Sequence, residues 1–308
     1  VNTVLDQRVE LGTGPTPCID AGALHPGLWF KDDGAFAPLY GGNKPRKLEY
    51  LLHDAPTQIA TMGAKGSHHA LATAVHGVAE GHVVDVVTFP RPFNAHVQQI
   101  HAATAARATM HTARDLNEAR RVLGQLEQGG ARCIPAGGSS ARGALGFVRA
   151  GRELVEQVQA GCLPAPRRIY VAMGTAGTVV GLALAMHEAG MDAEVIGVRV
   201  VPEAWLTLDD VHQLAQETAS LGGLSMAMPR IVDDWLGAGY GESTPAAECA
   251  VKAASQVAPL EATYTGKALA AALDESGDGP ILFWQTHNTQ SIAPLLQGLP
   301  LSEAGNWA

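Results

Sequence analysis

Short apolar runs alternate along the chain with segments whose leucines, valines and alanines recur at helical spacing. This is the pattern of βαβ units around a mainly parallel sheet. Strands are predicted over "GLWFKDD" (27–33), "QIATMG" (58–63), "HVVDVVTFP" (82–90) and "ARCIPAGG" (131–138), the last entering a glycine-rich loop. Helices are predicted over 44–55, with Leu48, Leu51 and Leu52 on one side, and over 67–81 and 94–108. A second half repeats the scheme, with a strand around 168–175, a helix from about Thr178, and strands over 193–201 and 280–288. Proline-rich "CLPAPRR" (162–168) marks a junction between the halves, and no short-period repeat interrupts them.

Composition narrows the class. With 308 residues, 46% hydrophobic and 17% charged, the chain has apolar surface for one large core or two smaller ones, and two domains are expected. Aromatics are 5% while alanine and glycine abound, which suits α/β layers better than a β-sandwich. Lys plus Arg number 21 against 30 Asp plus Glu, a net charge of −9 without a basic run, which argues against nucleic acid or an acidic membrane as partner. Cys18, Cys133, Cys162 and Cys249 lie far apart, as reduced thiols of a cytoplasmic protein would. The opening "VNTVLDQRVELG" lacks a basic-then-apolar signal, and no uncharged run of about 18 apolar residues is present to span a membrane. Among twelve histidines His68 and His69 are adjacent, but no H-E-x-x-H or Cys/His cluster accompanies them, so no metal site is expected. Met173, the Leu/Ala stripe near 182–186 and Trp29, Trp205, Trp235 and Trp284 read as core or pocket packing.

Three loops lead directly into a helix N-terminus, where unpaired N–H groups and the helix dipole favour anions. In "MGTAGTVVG" (173–181), Gly174 and Gly177 permit a tight turn and close approach, and Thr175 and Thr178 add hydroxyls. The spacing is neither G-x-G-x-x-G nor a nucleotide P-loop, so the loop is either a cup for one phosphomonoester or an ordinary tight βα turn. In "MGAKGSHHALATA" (62–74), Ser67 is a helix N-cap in a loop that also offers N–H groups to a carboxylate. In "YGGNKPRKLEYLL" (40–52), Gly41 and Gly42 allow a turn, and Pro45 fits the first helical turn and makes Lys44 the expected N-cap. Arg46 and Lys47 then read as solvated charges inside the helix, whereas the dipole, and burial if present, disfavour the protonated form of Lys44. A lysine kept neutral near pH 7 is a Schiff-base nucleophile.

A phosphate cup, a carboxylate site and a neutral lysine in one α/β chain are the requirements of pyridoxal 5'-phosphate. "GGNKPRKLEY" (41–50) resembles the lysine motif of the D-cysteine desulfhydrase and 1-aminocyclopropane-1-carboxylate deaminase family. "GTGPTPCI" (12–19) resembles that family's N-terminal segment, "IPAGGSSARGALGFV" (134–148) its middle loop, and "GAGYGESTP" (237–245) and "YTGKA" (264–268) its C-terminal motifs. The resemblance implies the tryptophan-synthase-β-like α/β fold, fold type II, with two open twisted, mainly parallel sheets flanked by helices. It implies a smaller domain over 47–140 inserted between the parts of a large cofactor-binding domain, 1–46 and 141–308, and a homodimer.

Carried over residue by residue, the resemblance makes Lys44, beside Asn43, the cofactor lysine and Gly174, Thr175, Ala176, Gly177 and Thr178 the phosphate loop. Ser67 matches a serine that contacts substrate and takes part in proton transfer, and Tyr240 and Tyr264 match active-site tyrosines. Thr265 and Thr286 fall where the desulfhydrase branch has threonines and the deaminase branch Glu and Leu. His68 stands where the family has an Asn that bonds the cofactor's ring oxygen, and His287 and Asn288 replace a Gly-Gly, placing bulk near the substrate. The implied reaction is α,β-elimination on a small amino acid with a β leaving group, giving pyruvate and ammonia. Ring opening of a cyclopropane amino acid, β-replacement in biosynthesis, and a non-catalytic protein that binds the cofactor or an amino acid are the alternatives.

Overall fold

The computed structural model describes residues 4–92, 94–275 and 277–299. The first strands are β1 (Cys18–Asp20), β2 (Leu28–Asp32), β3 (Gln58–Ala64), β4 (Val83–Phe89), β5 (Thr109–Thr112) and β6 (Arg132–Ile134). They are followed by β7 (Arg168–Met173), β8 (Glu194–Arg199), β9 (Arg230–Val232) and β10 (Ile281–Gln285). The helices begin with α1 (Asn43–Leu51), α2 (His68–Ala79), α3 (Ala95–Ala105), α4 (Leu116–Gln128) and α5 (Ala141–Gln159). α6 (Gly177–Glu188), α7 (Leu208–Gly222), α8 (Pro245–Ala253), α9 (Thr265–Leu273) and α10 (Ala293–Leu296) complete them. The elements expected from periodicity are present with trimmed ends; β1, β5, β9, α4, α5, α7, α8, α9 and α10 fall where periodicity predicted none. Much of 134–148, matched to a family loop, is the start of α5, capped by Ser140, whose Oγ accepts from Gly143 N.

The chain divides into two compact units, residues up to 53 with 137–289, and 54–136 with the residues from 290 onward. The expected boundary at 46/47 would cut α1, which is one continuous helix. Residues 1–3 and 300–308, the ends of the expected large domain, lie outside the described residues.

In the first unit the strand order is β1-β2-β10-β7-β8-β9. Every neighbouring pair is parallel except β1 with β2. Successive side chains on a strand face opposite ways. Along β10, Leu282 and Trp284 join one buried cluster with Phe147, Val180 and Leu182, while Ile281 and Phe283 join another with Leu269 and Phe30. Covering on both faces is why such strands read as unbroken apolar runs. α1 and α5 approach so closely that a Cβ on Gly146 would come within 2.0 Å of the Arg46 carbonyl oxygen.

The second unit holds a fully parallel sheet in the order β5-β4-β3-β6. Its core includes Met62, Val87, Ala113 and Ala119. Among the described residues no helix is long and apolar enough to cross a membrane.

Candidate active site

Parallel strands bring their carboxyl ends to one edge of a sheet, and in the first unit Asp33, Gly174 and Thr286 directly follow β2, β7 and β10 there. α1 starts at this edge. Its N-cap is Gly42, not Lys44, because the turn needs φ 78°, in the region that favours glycine. A Cβ at Gly42 would meet Thr286 O at 2.6 Å. The Asn43 N–H donates to that same carbonyl at 3.1 Å, and Gly41 N donates to Asn288 Oδ1 at 2.6 Å. Pro45 still falls in the first turn, where its missing N–H costs nothing.

Lys44 Nζ donates to Asn43 Oδ1 at 2.7 Å, and Asn43 Nδ2 donates to Thr178 Oγ1 at 3.0 Å. The expected cofactor lysine is thus tied through Asn43 to the expected phosphate loop. Burial lowers the Lys44 amine to about 8, partly opposed by the Glu261 carboxylate.

Lys47 corrects the sequence reading. It is 2% exposed, not solvated, and Nζ donates to Gly137 O at 3.1 Å and Ser139 Oγ at 3.2 Å. Ser139 Oγ lies 2.7 Å from Thr175 Oγ1 and accepts from Gly177 N at 3.1 Å. Burial, then the neighbouring Lys44, push the Lys47 amine well below its ordinary value. Arg46 is likewise buried, held by Asp33 at 2.8 Å and Glu153 at 3.0 Å. Burial works against the Glu153 carboxylate, yet Arg46 and Lys31 hold it at about 2.

In the expected phosphate loop the left-handed residue is Ala176, φ 61°, and Gly177 is the sterically constrained glycine. A Cβ at Gly177 would come within 2.7 Å of Ser139 Oγ, whereas one at Gly174 would meet nothing nearer than 3.9 Å. Gly174 lies in the bend without a left-handed φ, and the space beside it is open. The N-terminus of α6 has no side-chain cap. A desolvated amine, three hydroxyls and the positive end of the α6 dipole suit a phosphate dianion, so these residues fit pyridoxal phosphate.

Tyr264 Oη donates to Tyr240 Oη at 2.8 Å. Thr265 is buried, and its hydroxyl lies 3.1 Å from Glu261 Oε1. The Glu261 carboxylate also accepts from the backbone N–H groups of Thr263, Tyr264 and Thr265. Thr286 contributes its carbonyl to the α1 turn. Glu261, Ser139 and Lys47 escaped the sequence reading. An acidic residue four positions before a helix start, placed to accept its first N–H groups, is the one signal that could have found Glu261.

In the second unit, Ser67 caps α2 with its Oγ accepting from Ala70 N at 3.3 Å. His68 Nε2 lies 3.3 Å from His96 Nε2, and His69 Nε2 lies 2.9 Å from Thr61 Oγ1. Of the tryptophans read as core or pocket packing, Trp284 is fully buried with Nε1 donating to Asp33 at 2.7 Å, whereas Trp205 is 40% exposed and so not core.

Residues 9–283 match the family model described as "Pyridoxal-phosphate dependent enzyme". A D-cysteine desulfhydrase of Salmonella typhi is 32% identical over 320 residues, covering 92% of this chain and 95% of that protein. The crystal structure of an ACC deaminase homologue aligns with TM-score 0.80 and 27% identity over 94% of this chain and 95% of that one. Threonine deaminase isoform 2 from Solanum lycopersicum aligns with TM-score 0.63 and 16% identity over 95% and 88%, a likeness of fold alone.

Proposed function

We infer that this chain, which belongs to the pyridoxal-phosphate dependent enzyme family, is a lyase that carries out α,β-elimination on a small amino acid. The reaction breaks the Cα–H and Cβ–X bonds, and the enamine left behind is hydrolysed by water to a keto acid and ammonia. One observation carries the reading. Two desolvated lysines on one helix divide the work, Lys44 tethered through Asn43 to Thr178 and Lys47 bonded to Ser139 beside Gly177.

Bound pyridoxal phosphate supplies the electron sink for charge developing at Cα. Lys47, Ser139, Thr175 and Thr178 would hold its phosphate. Lys44 Nζ, at about 8, is available both as a neutral nucleophile and as a proton carrier near neutral pH. Asn43 aims that amine. The hydrogen-bonded hydroxyls of Tyr240 and Tyr264 form a path along which a proton can move. The family resemblance further assigns Ser67 to proton transfer and Thr265 and Thr286 to the cofactor's ring nitrogen, and it puts His68, as an equivalent donor or a stacking ring, where the family has the Asn that bonds the ring oxygen.

The same reading carries a homodimer in the cytoplasm, with the unit that bears Lys44 as the cofactor-binding domain. Its four cysteines are all free thiols, which suits a reducing compartment. Ring opening of a cyclopropane amino acid is the second reading, favoured by the likeness to the ACC deaminase homologue. A keto-acid assay over a panel of D- and L-amino acids with β substituents, alongside the cyclopropane substrate, tests both. Keto acid from the β-substituted members supports elimination, and none from any of them overturns it.

A further inference from the structure

Trp205 ends a one-turn helix, Glu203–Trp205, that follows β8, and its ring is 40% exposed. It stands against Tyr240 with ring centroids 5.1 Å apart and planes at 51°. Tyr240 in turn meets Tyr264 edge-on at 6.1 Å, with the two hydroxyls bonded. The three rings therefore form a row, with the indole at its outer end and the phenol pair at its inner end.

Two buried cations fix the segments that carry this row. Arg199, 4% exposed, donates from Nη1 to Leu206 O at 2.5 Å and from Nε to Asp233. It thereby ties the turn of Trp205 to the segment leading to Tyr240. Lys267, fully buried on α9, donates to Leu236 O at 2.6 Å, tying that segment to the helix whose N-cap is Tyr264. A buried charge spent on a loop carbonyl marks a segment whose position is held firmly.

We propose that Trp205 is a positioning residue for the Tyr240–Tyr264 pair, holding the Tyr240 ring so that the two hydroxyls stay aligned for proton transfer. This rests on the lyase reading, which places the tyrosines at the substrate. A phenol ring with one open face can swing about its side-chain bonds, and an O–H···O bond weakens steeply once its angle is lost. The indole closes that face of Tyr240. Offset and tilted aromatic pairs favour such fixed arrangements.

The test compares Trp205→Ala, Trp205→Phe and Leu208→Ala, the last an exposed residue just beyond the turn. In the holoenzyme, Trp205→Ala is expected to lower kcat about tenfold or more with KM changed less than about threefold, and Trp205→Phe to restore most of it. In the apoprotein, with 3-fluorotyrosine at position 264, Trp205→Ala should shift and broaden the fluorine resonance, the effect passing through Tyr240. Trp205→Phe and Leu208→Ala should leave it in place. An unmoved resonance, or a kcat loss that Phe does not rescue, overturns the proposal. If Tyr264→Phe has no effect on turnover, the lyase reading's assignment of the tyrosines fails instead, and the fluorine measurement alone decides whether Trp205 orders the pair.

Discussion

Lys47 Nζ donates to Ser139 Oγ at 3.2 Å from a side chain that is 2% exposed. A lysine pays a desolvation cost for such a place, and a phosphate dianion offsets it with a charge-assisted hydrogen bond. Lys47→Met is therefore expected to weaken cofactor binding by about 1.5–3 kcal/mol, roughly 10- to 150-fold in Kd, in an equilibrium titration of apoprotein. Borohydride reduction of wild-type holoenzyme should label Lys44 and leave Lys47 unmodified, and Lys44→Ala should abolish covalent attachment. Label on Lys47 would reverse the two roles.

Lys44 has a folded pKa of about 8 against an ordinary 10.5, so burial makes it lose its proton first in the folded state. Between those values the unfolded chain binds more protons, and its contribution to stability rises with pH; below about 8 the full penalty is present. Lys47, lowered further, acts in the same direction. The rate of cofactor attachment to apoprotein should accordingly rise through about pH 8. A midpoint near that of a free lysine would remove burial as its cause.

The two glycines of the phosphate loop should separate under substitution. Gly177→Val drives a side chain into Ser139 Oγ and Lys47 Nζ, 2.7 and 3.2 Å from the new Cβ. A loss of about 1–3 kcal/mol of stability and a marked fall in cofactor affinity are expected. Gly174→Ala, with nothing nearer than 3.9 Å, should leave the melting temperature of the apoprotein unchanged. Equal destabilisation by both would show that the loop's shape depends on Gly174 after all.

The contrast between Lys44 and Lys47 shows where sequence reading ends. The Gly-Gly-Asn-Lys turn is local, and backbone chemistry alone points to a helix start there. The burial of Lys47 and Arg46 is not local. Ser139 lies 92 residues from Lys47, and Glu153 lies 107 residues from Arg46. Counting cations as surface positions fails where distant partners neutralise or bond them. Helix α9 escaped for a related reason, since its buried face is largely alanine and its apolar period is shallow; α5 is strongly amphipathic and was legible, but its first turns were matched to a family loop instead. The central parallel strands β3, β4, β7, β8 and β10 were legible because burial on both faces leaves them largely apolar, whereas the short, partly exposed β5 and β9 were not.

Thr265 bears on reaction choice, and Glu261 changes how that choice can be tested. A pyridine nitrogen facing a carboxylate stays protonated and draws electrons strongly, whereas one facing a hydroxyl is a weaker sink. Expulsion of a good β leaving group tolerates the weaker sink, and opening a carbon–carbon bond demands the stronger. The wild type is therefore expected to release a β substituent from at least one small amino acid and to show little ring opening. By the family pattern, Thr265→Glu with Thr286→Leu converts one site into the other. Yet the Thr265 hydroxyl lies 3.1 Å from Glu261 Oε1, so a carboxylate introduced there meets one already present. Two such charges repel by about 4 kcal/mol at ~4 Å when partly screened, and the new carboxyl stays protonated. Glu261→Gln keeps an amide oxygen for the α9 N–H groups while removing the charge. Only the triple variant should shift the ratio of ring opening to elimination, read as keto acid formed from each substrate. A shift already complete in the double variant would show that Glu261 does not govern the site. Efficient ring opening by the wild type, with no elimination across the panel, would replace the lyase reading with the deaminase one.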